Sequence, residues 1–99
     1  HEVAMLEADA AKHYLISRRN ELNDELKKQE TGVEYYEKTG LQQAALIIKN
    51  ASIAYKQGQI SYLEWIMLMN NAVTIELSYL QAIQQYNNVL IEINYLTGN

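Results

Sequence analysis

The stretch Ala54-Tyr-Lys-Gln-Gly-Gln-Ile-Ser-Tyr-Leu-Glu-Trp65 decides how this chain folds. It sits just past the middle of a long helical pattern. Gly58 suits the left-handed position that ends a helix. Ser61, followed three residues later by Glu64, has the S-x-x-E spacing of a capping box. In that box the Ser61 side chain takes the Glu64 amide and the Glu64 side chain reaches back to the Ser61 amide. Ile60 precedes the cap and Trp65 is the fourth helical residue, so the two are placed as a hydrophobic staple. A stop and a restart this close together predict two helices running antiparallel as a hairpin.

The flanking sequence supports long helices on both sides. The chain has 99 residues, with no proline and four glycines, so breaks are few. Residues 2 to about 30 are rich in helix formers. Leu15, Leu22, Leu26 and Val33 fall at heptad-like steps, with Arg18, Glu21, Glu25 and Lys28 as a solvated face. Residues 31–40 hold two Thr-Gly pairs, at 31–32 and 39–40, around Tyr35 and Tyr36. These predict a break of some kind: a kink, a short loop, or a close approach of another backbone. The helix resumes at Leu41 and runs to about residue 56. Ala44, Ile47, Ala51 and Ala54 form one stripe, beside Leu41, Ala45 and Ile48.

After a turn at 57–61, a second helix is predicted over 62–96, roughly 50 Å long. It carries two apolar stripes. One holds Ile66, Met69, Val73, Leu80, Ile83, Leu90 and Ile93. The other holds Leu68, Ala72, Ile75, Tyr79, Ala82, Tyr86 and Val89. A two-helix hairpin buries one stripe per helix, so two stripes imply two neighbours. Thr97-Gly98 supplies a stop. The expected fold class is all-α: one long, coiled-coil-like antiparallel hairpin, a single unit over 1–99.

Composition narrows the function. Net charge is −4 and the isoelectric point about 5.1, which argues against nucleic acid as the main partner. No cysteine is present, so there is neither a disulfide nor a thiolate metal site. No apolar run is long enough to cross a membrane, and no signal peptide is visible. The chain does not start with methionine, and an excised piece of a longer protein is the expectation. Residues 1–40 hold six basic and nine acidic side chains, while residues 41–99 hold two and three. The second part uses Asn and Gln where a free amphipathic helix uses Lys and Glu.

No catalytic constellation emerges, and no enzyme is expected. No nucleophile has a plausible base. His1 and His13 match no metal-ligand spacing. Met67 and Met69 fit a core stripe better than a soft-metal site. Glu76 and Glu92 lie about 24 Å apart along one helix, too far to act as a carboxylate pair. A helical metal-binding bundle would need inward Glu and His at i, i+3, and none occur. The expectation is therefore no metal and no cofactor.

The segment from Ala54 to Gly98 resembles the C-terminal end of the TolC-type outer-membrane efflux family, closest to its heavy-metal branch of CusC- and CzcC-like proteins. It also resembles TolC-like segments fused to CusA/CzcA-type transporters. The matching features are Tyr55 three residues before Gly58, then Ser61 with Glu64. Tyr79, Leu80, Ala82, Tyr86 and Asn87 follow, and the ending is Leu96-Thr97-Gly98. Residues 35–51 are similar to the family's descending helix, with Gln42 where the metal branch often has proline. The resemblance covers residues from about 15 to 98. It implies a fragment of an α-helical barrel wall in a trimeric outer-membrane conduit, the periplasmic portion of a cell-envelope protein of a Gram-negative-type cell. The parent's missing parts would reach the membrane. The break would be the tip that meets the periplasmic adaptor of a pump driven by an inner-membrane RND transporter, with heavy-metal cations as cargo. Tyr55, Lys56, Gln57, Gly58, Gln59, Ile60 and Tyr62 are the implied tip and docking residues, with Ser61 and Glu64 as the helix cap. The family's tip arginine position holds Ile60 here, so a polar gate of that kind cannot form. The rival reading is a structural coiled-coil interaction module unrelated to transport. Under either reading, the unsatisfied stripe predicts self-association of the hairpin.

Overall fold

The absence of proline and the single strong stop at Gly58 leave the chain two long helices and one sharp reversal. The computed structural model describes residues 2–98, with side chains from residue 7 onward; His1 lies outside the described residues. Helix α1 spans Glu2–Tyr35, and a π-helical turn spans Tyr36–Gly40. Helix α2 spans Leu41–Lys56, and helix α3 spans Tyr62–Thr97. The described residues contain no strand. The molecule is an all-α antiparallel hairpin measuring 81 × 21 × 18 Å. Its Cα radius of gyration is 22.4 Å, against roughly 13 Å for a compact domain of this length.

Residues 31–40 form no loop. Thr31 and Gly32 continue α1, and the Thr31 hydroxyl donates to the Lys27 carbonyl at 2.9 Å. The irregularity is confined to the π-turn, where the Leu41 N–H reaches back to the Tyr36 carbonyl. The buried positions explain the extra residue. Leu22 and Ala44 are both under 2% exposed and lie 22 residues apart, three heptads plus one. Ala44 and Ala51 are then one heptad apart. A π-turn takes up one residue without breaking the helix, so both halves keep their buried stripe facing α3. Gly40 is buried inside this turn. A methyl group there would lie 2.8 Å from Tyr36 Cδ1 and 3.5 Å from Ile75 Cγ2.

The core is a narrow seam. Among the described side chains, its buried apolar residues are Leu22, Ala44, Ala51, Ala72, Ala82 and Val89. Four of the six are alanine, which lets the helices approach closely but buries little area per residue. On α3 the seam follows the stripe of Leu68, Ala72, Ile75, Tyr79, Ala82, Tyr86 and Val89, all buried or half-buried. The other stripe stays partly in water, with Val73 and Leu80 exposed. At the open end, Arg18 leaves the solvated face read for it and bridges the helices. It donates to Glu92 at 2.7 Å and to Glu21 at 3.3 Å. The hydrogen bond to Glu92, then that to Glu21, holds its guanidinium pKa above the usual arginine value. The exposed residues 7–17 lie beyond this bridge, at the start of α1.

Two edges of the hairpin differ in surface. One is marked by the Arg18–Glu92 bridge. Stepping back along α3 by sevens from Glu92 meets Gln85, Ser78, Asn71 and Glu64. Open grooves on this side are lined by Gln29, Gln85 and Asn88 and, nearer the middle, by Lys28 and Ser78. The other edge is marked by the Tyr55–Tyr62 ring contact. Stepping by sevens from Tyr55 meets Ile48 and Leu41, and from Tyr62 meets Met69, Glu76, Ile83 and Leu90.

Candidate functional site at the hairpin tip

Helix α2 stops by a complete Schellman motif. The Gln59 N–H donates to the Ala54 carbonyl at 2.9 Å and the Gly58 N–H to the Tyr55 carbonyl at 3.0 Å. The motif needs a left-handed residue, and Gly58 supplies it at φ 72°. Gln57 precedes it at φ −85°, ψ 1°, its N–H bonded to the Ile53 carbonyl at 3.0 Å. Lys56 ends the helix as a base at the negative end of its dipole.

Helix α3 starts on Ser61, which has an extended backbone. Its hydroxyl accepts from the Glu64 N–H at 3.1 Å. The return half of the expected capping box differs. The Glu64 carboxylate accepts the Ser61 hydroxyl proton at 3.2 Å, in place of the Ser61 amide. One hydroxyl thus both accepts and donates, which satisfies an orphan helix N–H and anchors the carboxylate over the positive helix end.

The reason for aromatics on both sides of the break is now visible. Tyr55 and Trp65 stack with ring centroids 5.4 Å apart and planes at 28°, and Tyr62 and Trp65 do so at 6.0 Å and 29°. Tyr55 and Tyr62 meet at 6.1 Å. The Trp65 indole N–H points to the Ser52 hydroxyl at 3.5 Å. Each aromatic pair adds about 0.5–1.5 kcal/mol beyond its area, so this trio clamps the last turn of α2 to the first turn of α3. Trp65, read in sequence as the staple partner of Ile60, has its ring taken up by the two tyrosines. Ile60 lines a groove with Ala54, Ala51 and Leu68 on the opposite edge.

All the sequence-singled tip residues therefore gather at one end of the molecule. Lys56, Gln57, Gln59 and Tyr62 face water; Tyr55 keeps 40% of its surface exposed and Tyr62 60%. Ser52 was missed as a member of this end, and Trp65 was read as a staple residue, not as the ring between the two tyrosines. The signal was available in part, because Tyr55 and Trp65 flank the same short turn; the Ser52 contact depends on how the helices pack.

A second aromatic group lies in the middle of the hairpin. Tyr36 packs against Tyr35 at 5.4 Å and Tyr79 at 6.4 Å. The Tyr79 hydroxyl donates to Glu37 at 3.4 Å. Partial burial first, and the Glu37 carboxylate second, push the Tyr79 phenol above its ordinary value. Tyr86 is half-buried in the seam, Asn87 is exposed, and Gly98 caps α3 at φ 76°.

Among the described residues, no three His, Asp or Glu side chains gather as a metal site. No helix among the described residues is long and apolar enough to cross a membrane. Compared with known proteins, the chain matches no family model, no curated protein and no solved structure.

Proposed function

We propose that this hairpin is a wall-and-tip segment of an efflux conduit of the TolC type, in a tripartite pump for heavy-metal or related cations. Its role is passage and docking, without a chemical step of its own. The observation that carries the reading is the tip. Tyr55-x-x-Gly58 and Ser61-x-x-Glu64 build a rigid reversal at the end of an 81 Å hairpin and hold Lys56, Gln57, Gln59 and Tyr62 in water. A tip of that construction presents polar groups and an aromatic clamp at a fixed distance from the base, as a docking end must. The amide-lined edge supports the same reading, because Asn, Gln and Ser suit a surface facing a water-filled passage without trapping a cation.

The proposed partners are a periplasmic adaptor at the tip and, through it, an inner-membrane RND transporter. The proposed setting is the periplasmic part of a cell-envelope protein. Single cysteines at Lys56, Gln57, Gln59 and Tyr62 in the full-length protein, in the cells that make it, test this. Cross-links to a periplasmic adaptor are expected. If these four positions capture nothing while positions 66–93 do, the tip is only a turn and the efflux reading fails.

A coiled-coil interaction module unrelated to transport is the second reading. The long alanine-rich seam favours it, since such a seam needs no tip function. It predicts that tip substitutions which preserve the caps are silent in cells.

A further inference from the structure

We infer that the apolar edge of this hairpin is the docking surface for a second copy of the same chain, with the two tip halves overlapping. The inference goes beyond the efflux reading and does not depend on it.

The rod shape leaves area enough for a partner. The chain exposes 7,695 Å², whereas a compact monomer of 11.4 kDa exposes about 5,800 Å². The excess, about 1,900 Å², is more than twice the roughly 800 Å² each partner gives to a standard stable interface.

The surface pattern says which side is covered. On α2, Leu41, Ile48 and Tyr55 recur by sevens on the edge marked by the Tyr55–Tyr62 contact. On α3, Ile66, Val73 and Leu80 recur by sevens beside Met69 and Ile83. Tyr55, Val73 and Leu80 are 40%, 44% and 59% exposed, and the others are half-buried. Between them, Ala45 and Ser52 are small and permit close approach. The strip runs from Tyr62 to Ile83, about 32 Å at 1.5 Å per residue. A contiguous apolar strip of that size marks an interaction site. The opposite edge is polar along α3, from Glu64 through Asn71, Ser78 and Gln85 to Glu92. Leu46 and Met67 are exposed near the tip on that side, beside the groove lined by Ile47, Ala54, Ile60 and Leu68, but this apolar surface stops at the tip, where Asn71, Ser78 and Gln85 take over along α3.

The chemistry says what covers it. Glu76 is the single charged residue on the strip, so a copy meeting a copy brings almost no repulsion. The strip is straight, and the chain itself supplies a straight strip of equal length. Toward the base, Glu37 in the π-turn and Glu34 and Glu30 on α1 follow, which confines the overlap to the tip halves. No basic residue borders the strip on α3 between Tyr62 and Leu90, and on α2 only Lys49 and Lys56 lie beside it, short of the basic cluster that an anionic lipid surface recruits.

Sedimentation equilibrium of the 99-residue chain tests the inference. A monomer–dimer equilibrium is expected. Val73→Lys with Leu80→Lys should raise the dimer dissociation constant at least about tenfold. Asn71→Lys with Gln85→Lys, on the polar edge, should leave it unchanged, with helix content by circular dichroism preserved in both. The chain has no cysteine of its own, so Val73→Cys gives a readout that does not rely on a charged variant. It should form disulfide-linked dimers under mild oxidation, and Gln85→Cys should not. A strictly monomeric wild-type chain, equal weakening by both double variants, equal cross-linking at both positions, or assemblies larger than a dimer would each overturn the inference. So would co-sedimentation with phosphatidylglycerol vesicles in place of dimerisation.

Discussion

Gly32 and Gly40 lie on the same continuous helix and should respond to alanine in opposite ways. Gly32 is helical, and a methyl group there meets nothing within 4 Å. Alanine should therefore recover the helix-propensity difference and stabilise the hairpin by about 1 kcal/mol. Gly40 has the same propensity to gain, but its added methyl would lie 2.8 Å from the Tyr36 ring. Overpacking costs about 1–3 kcal/mol, which outweighs the gain, so Gly40→Ala should destabilise. Urea melts of the two variants decide this, and a shared sign would refute the account of the π-turn glycine. Tyr79 carries a pH prediction. Its folded pKa lies above the ordinary 10.0, from burial and then from Glu37. A group whose pKa is raised by folding contributes stability that is whole below its unfolded value and is lost as pH rises through the folded one. The stability advantage of the native chain over Tyr79→Phe should thus shrink above about pH 10. A constant gap in urea melts on either side of that pH would show that folding does not raise the Tyr79 pKa.

At the scale of the element, the π-turn is a register device. Leu22 and Ala44 are three heptads plus one residue apart, and the turn absorbs the odd residue. Deleting Thr39, exposed within the turn, should convert it to ordinary α-helix and keep both Leu22 and Ala44 in the seam. Deleting Lys49, equally exposed but in regular α2, carries Ala51 out of phase with Ala44 and should lower the thermal midpoint substantially. A 99-residue domain loses about 5 °C per kcal/mol, so the two deletions are readily separated by circular dichroism melts. Equal losses would mean the turn is strain, not accommodation. The two helix ends at the tip rest on shorter-range physics. Gly58 and Ser61 satisfy orphan backbone groups within six residues of themselves, and the stacked rings of Tyr55, Trp65 and Tyr62 then fix how the two ends meet.

The whole molecule is a thin rod whose seam buries mostly alanine. Its own core is small for its length, so association should contribute to stability by mass action. If a second copy covers the apolar edge, the thermal midpoint rises with chain concentration, by about 5 °C for each hundredfold. The Val73→Lys, Leu80→Lys variant should lose that dependence. A midpoint that ignores concentration in the native chain would contradict the dimer. The Arg18–Glu92 bridge joins the helices near the open end; both side chains are partly exposed, so its share of stability is small.

The hairpin and its tip were legible in the amino-acid sequence because caps are local. A glycine, a serine and a glutamate within seven residues specify a stop and a restart whatever the rest of the chain does. The absence of proline made the helices long, and the heptad steps made them pair. The tertiary structure decided three things that spacing left open. It chose which α3 stripe enters the seam, because both are apolar and only the one with Ala72 and Ala82 is small enough to approach Ala44. It turned the 31–40 region into a π-turn, because the phase slip between Leu22 and Ala44 becomes visible only when the buried residues are known. It also gave Trp65 its partners, because side-chain direction at a helix start is set by the neighbouring helix. Local hydrogen bonds are written into a few adjacent residues; the choice between two apolar faces depends on steric fit between residues far apart in the chain.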